Sequence, residues 1–491
     1  MPEVFRHAVA SGDPTQSSVI LWTRVTGGPD DVPVQWVVAS DRDLIHVVAR
    51  GEAVAAADAD HTVHVDATGL DEATTYFYGF EVLGEHSPVG RTRTLPADPD
   101  HLRLAMVSCA KYAAGFFNGY ARIADRADLD FVVHLGDYIY EVSNHPPPSQ
   151  TPPADIGRPY MPEHECVTLE DYRARYAHYR SDPDVQRLHV THPVMATVDD
   201  HEFADGAWRE GSIEHREDRD GPWADRKAAA FRARWEWQPY RMLDAGDPTR
   251  VFRSVSLGDL ADLIFIDTRS RRDGPGVGPR MDDPARTQLQ PEQRSWFLDA
   301  LGSSRARWRI VGNGSCMSQI WDEAIPQDAR AGLVKLKMLN PTADGPDPDQ
   351  WDGYPLERDA IYETMERGPR NVVVLSGDVH VSLANELKRS RDADPVAVEF
   401  VTTSLTSQNL DDKMGWEPRT RSVGLEAAWV AASPYTRWAD LDSHGYVVVD
   451  VTPERVVGEW WFADTVLKQS GAESSGGRWA VRHGTARLQR G

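Results

Sequence analysis

Residues 131–141, Phe131-Val132-Val133-His134-Leu135-Gly136-Asp137-Tyr138-Ile139-Tyr140-Glu141, decide the fold. A short apolar run stopped by Gly-Asp reads as a buried strand. Its C-terminal end carries a carboxylate and two phenols. Three other runs end in the same style. Leu102–Ser108 leads into Cys109-Ala110, Val194–Val198 into Asp199-Asp200-His201-Glu202, and Asn371–Leu375 into Ser376-Gly377-Asp378-Val379-His380. Further strands are expected at Leu263–Asp267, Trp308–Val311 and Ala397–Val401. Helices are expected at Leu169–Tyr179, Ala224–Trp237, Pro291–Leu301 and Glu357–Arg367. Strand, loop and helix in alternation imply a layered α/β core. Open α/β sheets bind ligands beyond the carboxyl ends of their strands, so four polar strand ends converge if the sheet is continuous.

Upstream of this core the pattern changes. Val19–Trp22, Val34–Val38, His61–Val65 and Thr75–Phe80 are short runs of β-branched and aromatic residues separated by Gly, Pro and Asp. Leu70-Asp71-Glu72-Ala73-Thr74-Thr75-Tyr76 resembles the tyrosine corner of fibronectin-type sandwiches. An Ig/fibronectin-like β-sandwich over residues 1–96 is therefore expected, with Leu95–Asp100 as linker and the α/β domain over 97–491. Downstream, Gly445–Val451 and Val456–Phe462 alternate in period two and are expected to pair across Thr452-Pro453-Glu454. Segments 142–166, 270–287 and 321–354 lack periodicity and are rich in Pro, Gly and Asp, as lids and binding loops often are.

Composition narrows the function. The formal net charge of −23 argues against a nucleic-acid surface, which selects for basic patches. It leaves room for a small anionic substrate, since bound cations reverse a local potential. Lysine is scarce beside arginine, which reads as genomic base composition. Three cysteines, Cys109, Cys166 and Cys316, make no disulfide framework. No apolar run reaches the ~20 residues of a membrane-spanning helix, and residues 1–5 have no signal-peptide character. Oligomeric state is not legible in the sequence.

The strand-end residues suit a hard-metal site. Paired metals favour phosphoryl transfer because they hold both the attacking and the leaving oxygen of an in-line displacement. The ordered set is more specific than any one member. GDYIYE around Asp137, DDHE around Asp200 and His201, and GDVH around Asp378 and His380 resemble the motif order of metallophosphatases. Those spellings, with Ala10-Ser11-Gly12-Asp13-Pro14 and Leu21-Trp22-Thr23-Arg24, are similar to the PhoD-like alkaline phosphatase and phosphodiesterase family over about residues 5–465.

That resemblance implies an N-terminal β-sandwich followed by a four-layer α/β/β/α metallophosphoesterase domain. It implies hydrolysis of a phosphomonoester or phosphodiester by metal-bound hydroxide. It also implies Fe³⁺ with Ca²⁺, the alternative being another pair such as Zn²⁺, Mn²⁺ or Mg²⁺. Asp137 would bridge two metals; Cys109, Tyr140 and His380 would lie on the iron side; Asp200, Asp378 and Asn313 would lie on the calcium side. His201 would stand beside the phosphoryl group. Some relatives act as phospholipase D or glycerophosphodiesterase, so a phospholipid head group is the alternative substrate. The family also implies a secreted or surface location.

Blander roles compete for single residues. Cys109 alone reads as a small core residue, and Tyr140 as a buried aromatic. Adjacent Asp199 and Asp200 point to opposite sides of an extended chain, so only Asp200 is expected at the metals. His201 could be ligand, general acid or packed; the non-ligand catalytic role is favoured. Arg269 is a candidate for substrate phosphate or for a salt bridge, and Asn118 for substrate contact or helix capping. Cys166 with His164 and Glu165 is a remote candidate for a second metal site. Tryptophans on late loops could cage a quaternary ammonium group. The competing enzyme class is a cysteine-nucleophile hydrolase at Cys109, and the competing non-enzyme class is a binding protein with an inactive α/β part.

Overall fold

The computed structural model describes residues 3–145, 152–274, 281–320, 325, 327–340, 347–368 and 370–491. Parts of the three aperiodic segments, and Trp321, lie outside the described residues. In chain order the N-terminal strands are β1 (Val9–Gly12), β2 (Ser18–Arg24), β3 (Val32–Ala39), β4 (Val47–Ala55), β5 (Thr62–Thr68), β6 (Thr75–Val82), β7 (Glu85–His86) and β8 (Gly90–Arg93). There follow β9 (Leu102–Val107), α1 (Asn118–Ala124), β10 (Phe131–His134), α2 (Leu169–Arg180), α3 (Pro183–Thr191), β11 (Val194–Ala196), α4 (Glu217–Asp220) and α5 (Trp223–Trp237). Next come β12 (Arg253–Leu257), β13 (Ala261–Phe265), α6 (Gln290–Ser303), β14 (Trp308–Asn313), α7 (Gln327–Lys335), α8 (Pro355–Arg367), β15 (Val372–Ser376), β16 (Ser382–Leu387) and β17 (Ala397–Val401). The chain closes with α9 (Leu410–Met414), α10 (Ser422–Ala432), β18 (Thr436–Asp440), β19 (Gly445–Val451), β20 (Arg455–Ala463), β21 (Glu473–Arg482) and β22 (Leu488–Arg490).

Two sheets make the centre. One has the order β22-β21-β20-β19-β9-β10-β11-β1-β2-β5, the other β12-β13-β14-β15-β17-β16-β18. Their strands carry side chains to opposite faces with period two. Leu104, Met106, Phe131 and Val133 of the first sheet meet Leu263, Phe265, Val373 and Leu375 of the second in one buried layer. The intervening residues point outward. Ala105, Val107 and Val132 pack under Tyr120, Tyr176, Leu188 and Phe231 of helices α1, α2, α3 and α5. Ile264, Val372 and Val374 pack under Phe297, Leu301, Ile361 and Met365 of α6 and α8. The result is a four-layer α/β/β/α arrangement. Burying each large side chain in it contributes roughly 1.5–3 kcal/mol before entropy is counted.

The N-terminal strands form a sandwich whose own core includes Val19, Leu21, Val34, Val38, Val63, Tyr76 and Phe80. The tyrosine corner is present in variant form: the Tyr76 hydroxyl accepts from the Asp71 amide at 2.9 Å. One sheet of this sandwich is not separate from the α/β core. Gly12 of β1 pairs in parallel with Val194 of β11, so β1, β2 and β5 continue the first central sheet. Trp22 on β2 faces the other way from Leu21, donating to the Glu236 carbonyl at 2.8 Å and packing on Trp237. The linker at 95–100 is thus a chain boundary and not a sheet boundary.

The hairpin of β19 and β20 has the expected register, Val451 opposite Val456. Two strands beyond it, β21 and β22, extend the sheet edge. Their weak signal comes from Ser474-Ser475-Gly476-Gly477, which breaks the apolar alternation of β21. Within the aperiodic segment 321–354 the chain forms helix α7, which brings lysines to the site described next.

Candidate metal centre and active site

The ends of β9, β10, β11 and β15 lie together. Cys109, Asp137, Asp378 and His380 each hold a left-handed backbone, with φ of 59°, 54°, 68° and 56°. Non-glycine residues adopt it at a cost, and such strain gathers at functional sites. Gly136 makes the convergence possible. Its φ is 106°, and a Cβ there would lie 2.4 Å from the Asp199 Cβ.

Three groups of potential metal donors share Asp137, one of them formed with Asp200 and His201. In the first, one donor atom each from Cys109, Asp137 and His380 lies within 4.8 Å of the others. The Tyr140 hydroxyl sits among them, 2.8 Å from Asp137 Oδ2 and 3.3 Å from His380 Nε2. His380 is oriented by its Nδ1, 3.1 Å from the Gln408 carbonyl. In the third, Asp137, Asp199, Asp200 and Asp378 bring four buried carboxylates within the same 4.8 Å limit. Among the described residues, each group of three or more such donors includes Asp137.

Asp199 corrects the sequence reading. Alternation fails at this pair because Asp200 opens a 3₁₀ turn, Asp200–Glu202, instead of continuing an extended strand. Asp199 gives Oδ1 to Arg269, while its Oδ2 and Oδ1 of Asp200 are buried with no hydrogen-bond partner. Two orphaned carboxylate oxygens in a buried cluster are costly unless a cation neutralises them. The donors fit that need: hard oxygens on one side, and a thiol, phenol and imidazole on the other.

Electrostatics point the same way. Burial, with neighbouring carboxylates, pushes Asp137 and Asp199 well above the usual carboxyl range. Burial first, then Asp137, also raises the Cys109 thiol and the Tyr140 phenol. Burial drives His380 well below the ordinary imidazole value. Charge is thus disfavoured on Cys109, Tyr140, Asp137 and Asp199, whereas Lys337 and Arg269, against burial, hold Asp200 well below the usual carboxyl range; a multivalent cation favours thiolate, phenolate and carboxylate alike. Cys109 is buried among carboxylates, not in the electropositive setting of a nucleophilic cysteine.

His201 belongs to the group with Asp137 and Asp200 and also has a carboxylate partner of its own. Its Nδ1 lies 2.7 Å from Glu141 Oε2, and its ring packs on Tyr140 with centroids 4.1 Å apart. Burial opposes its charge, yet Glu141, Asp137 and Asp200 raise its pKa well above the ordinary value. Glu141 was not singled out by the sequence, although it closes the quoted GDYIYE run. Glu202 was also missed. Its carboxylate accepts from the amides of Asp137 (3.0 Å), Tyr138 (2.6 Å) and Asp199 (2.7 Å), tying two strand ends together. Its place in DDHE was the available signal.

Three candidate residues are bonded within the fold, Arg269 by the salt bridges that were one of its two expected roles. Arg269 is fully buried and paired with Asp199, Asp349 and Asp378, so it balances the carboxylates and is not exposed to substrate. Arg269→Met should lower the unfolding free energy by about 3–5 kcal/mol, because buried partner charges lose their counter-ion; denaturant titration checks this. Asn118 spends its amide on the carbonyls of Thr465 and Lys468 and the amide of Ser470, anchoring the loop after β20. Asn313 donates to Ser315 and Ser376 and accepts from Trp351, which ties β14 to β15. Gly314 beside it is small because a Cβ would come within 3.1 Å of Asp199 Oδ1. The Cys166 candidate also fails: its thiol faces the Asp171 carbonyl, His164 pairs with Asp171, and Glu165 with Arg226.

A cavity of about 160 Å³ opens over Asp137, Tyr140, His201, Asp378 and His380. Apart from the histidines, Tyr140 is the one aromatic side chain lining it among the described residues. Four lysines line it as well: Lys111, Lys335, Lys337 and Lys413. Lys337 pairs with Asp205 and lies 3.4 Å from Asp200 Oδ2. Lys413 is pushed down to about 7, by burial first and then by Lys111, with Lys337 and Lys335 also contributing.

A four-layer core with carboxylates, histidines and a thiol at facing strand ends defines a metallophosphoesterase. The solved purple acid phosphatase PPD1 from yellow lupin (Lupinus luteus) shares the fold, with a TM-score of 0.54 at 12% identity over 92% of this chain and 71% of that one. The chain belongs to the PhoD-like phosphatase family, whose model matches residues 104–460 and whose N-terminal-domain model matches residues 1–96. It is 33% identical over 484 residues to alkaline phosphatase D of Bacillus subtilis (strain 168), covering 94% of this chain and 77% of that protein. A solved structure of PhoD superposes with a TM-score of 0.86 at 30% identity, covering 99% of this chain and 92% of that one. The protein is therefore a phosphoric ester hydrolase of the metallophosphatase type. No helix among the described residues is long and apolar enough to cross a membrane.

Proposed function

We propose that the Asp137 cluster holds Fe³⁺ with Ca²⁺ and that the enzyme hydrolyses phosphodiesters and phosphomonoesters outside the cytoplasm. The observation that carries the reading is the pair of orphaned oxygens, Asp199 Oδ2 and Asp200 Oδ1, facing Asp137 in a buried cluster. Cys109, Tyr140 and His380 would hold the softer, iron side, with Asp137 bridging. Asp199, Asp200 and Asp378 would hold the calcium side. Bound metal ions supply Lewis acidity, lowering the pKa of water and drawing charge from the phosphoryl oxygens.

The chain's own groups do the rest. Arg269 keeps Asp199 and Asp378 in place, and Glu202 fixes the two strand ends. With Nδ1 bonded to Glu141, His201 presents Nε2 toward the cavity and donates its proton there to the departing ester oxygen. A choline-type phospholipid head group, the alternative substrate, finds no aromatic cage among the described residues of this lysine-lined cavity.

The test is a panel of monoester, diester, nucleotide and phospholipid substrates with native protein, before and after chelation. Activity on small esters should vanish on chelation and return with iron plus calcium. The native protein should show a visible charge-transfer band from thiolate or phenolate bound to ferric iron. Chelator-resistant turnover, or active protein containing only zinc or magnesium, contradicts this reading.

A further inference from the structure

The chain has only seven lysines among its 53 Lys and Arg residues, and four of the seven line one cavity. Base composition does not explain that placement. They come from separate parts of the chain: Lys111 after β9, Lys335 and Lys337 at and beyond the end of α7, and Lys413 in α9. Lys337 is engaged by Asp205 and Asp200. The other three make no salt bridge, although Asp205, Glu141 and Asp137 act on Lys111 through space. Lys335 Nζ donates at 3.0 Å to the Lys413 carbonyl, and no acidic side chain forms a salt bridge with Lys111, Lys335 or Lys413 among the described residues. Lys111 instead lies over the Tyr140 ring, 5.5 Å from its centroid. Like charges brought together in a half-closed cavity repel one another, and an anion relieves that repulsion.

Resting on the hydrolase reading, we infer that Lys111, Lys335 and Lys413 form a second anion subsite beside the metal centre, selecting phosphate esters that carry a further phosphate group. The scissile phosphoryl sits over Asp137 and Asp378, while the second phosphate meets the ammonium groups at the cavity wall. Ammonium groups suit this role as mobile point charges that follow a flexible anion, where a guanidinium demands one planar geometry. The subsite excludes cationic head groups by the same charge.

A series of diesters with one leaving group tests the inference: methyl 4-nitrophenyl phosphate, and its counterparts in which the methyl is replaced by a phosphorylated chain of two to four carbons. Native metal-loaded enzyme should show kcat/KM about ten-fold or more higher for at least one phosphorylated diester at low salt, and the preference should shrink as salt is raised. The double variant Lys335→Met, Lys413→Met should lose the preference, with the methyl diester's kcat/KM changing less than about three-fold. Lys413→Arg with Lys335→Arg should restore part of it, which separates charge from packing. Equal kcat/KM across the series with the methyl diester still turned over, or a preference that survives the double Met variant, overturns the subsite. Absence of turnover on every diester overturns the hydrolase reading, and the subsite with it.

Discussion

Asp137→Asn is expected to abolish turnover, by roughly 10³-fold or more, about 4 kcal/mol of transition-state stabilisation. The residue belongs to all three donor groups at once. Its Oδ2 accepts from the Tyr140 hydroxyl and its Oδ1 accepts at 3.3 Å from the His201 amide. A neutral amide is a weaker bridge between cations and must turn an NH₂ toward one of those donors. The fold should survive, because burial already disfavours the Asp137 charge in the metal-free protein. Metal content should therefore fall while the metal-free melting temperature holds or rises. Near-normal turnover with full metal would remove Asp137 from the site.

The second large effect separates two histidines. His201→Ala should keep its metal yet lose about 10²–10⁴-fold in turnover, the usual loss for a general acid. The deficit should shrink for nitrophenyl esters, whose leaving oxygen departs without a proton. Glu141 bonds His201 Nδ1, so Glu141→Gln should reproduce a milder version of the same leaving-group dependence. His380→Ala should lose metal and activity together for every ester, since its Nε2 shares the cluster of Cys109 and Asp137. Equal metal loss in both variants, with no leaving-group effect, would make His201 a ligand and leave the acid to be found elsewhere.

The layered core was legible because its strands are short, apolar and ended abruptly by polar motifs. Phe131–His134, Trp308–Asn313 and Ala397–Val401 fall where their apolar runs predict. Val194–Ala196 is shorter than its run, because the chain turns early to bring Asp199 and Asp200 inward. That turn hid Asp199: alternation assumes an extended chain, and the 3₁₀ turn cancels it. Cys109, Asp137, Tyr140, Asp200, Asp378 and His380 are brought together in the folded chain, and their ordered motifs carried that information. For Arg269 the salt-bridge reading is the one the fold displays, while the partners of Asn118 and Asn313 were not legible because residue type reveals a capacity for hydrogen bonds and not the partner that takes them. The lysine-lined wall was invisible for another reason. Lys111, Lys335 and Lys413 are far apart in sequence, and the helix that delivers two cavity lysines lies in a segment without apolar periodicity.

The most direct measurement is anomalous diffraction from crystals of the native protein, collected at the iron edge and at a longer wavelength where calcium scatters. The account predicts an iron peak within bonding distance of Cys109, Asp137, Tyr140 and His380. It predicts a calcium peak on the opposite side of Asp137, beside Asp199, Asp200 and Asp378. Peaks that leave Asp137 unliganded, or metal bound only elsewhere in a protein that still hydrolyses phosphate esters, would contradict it.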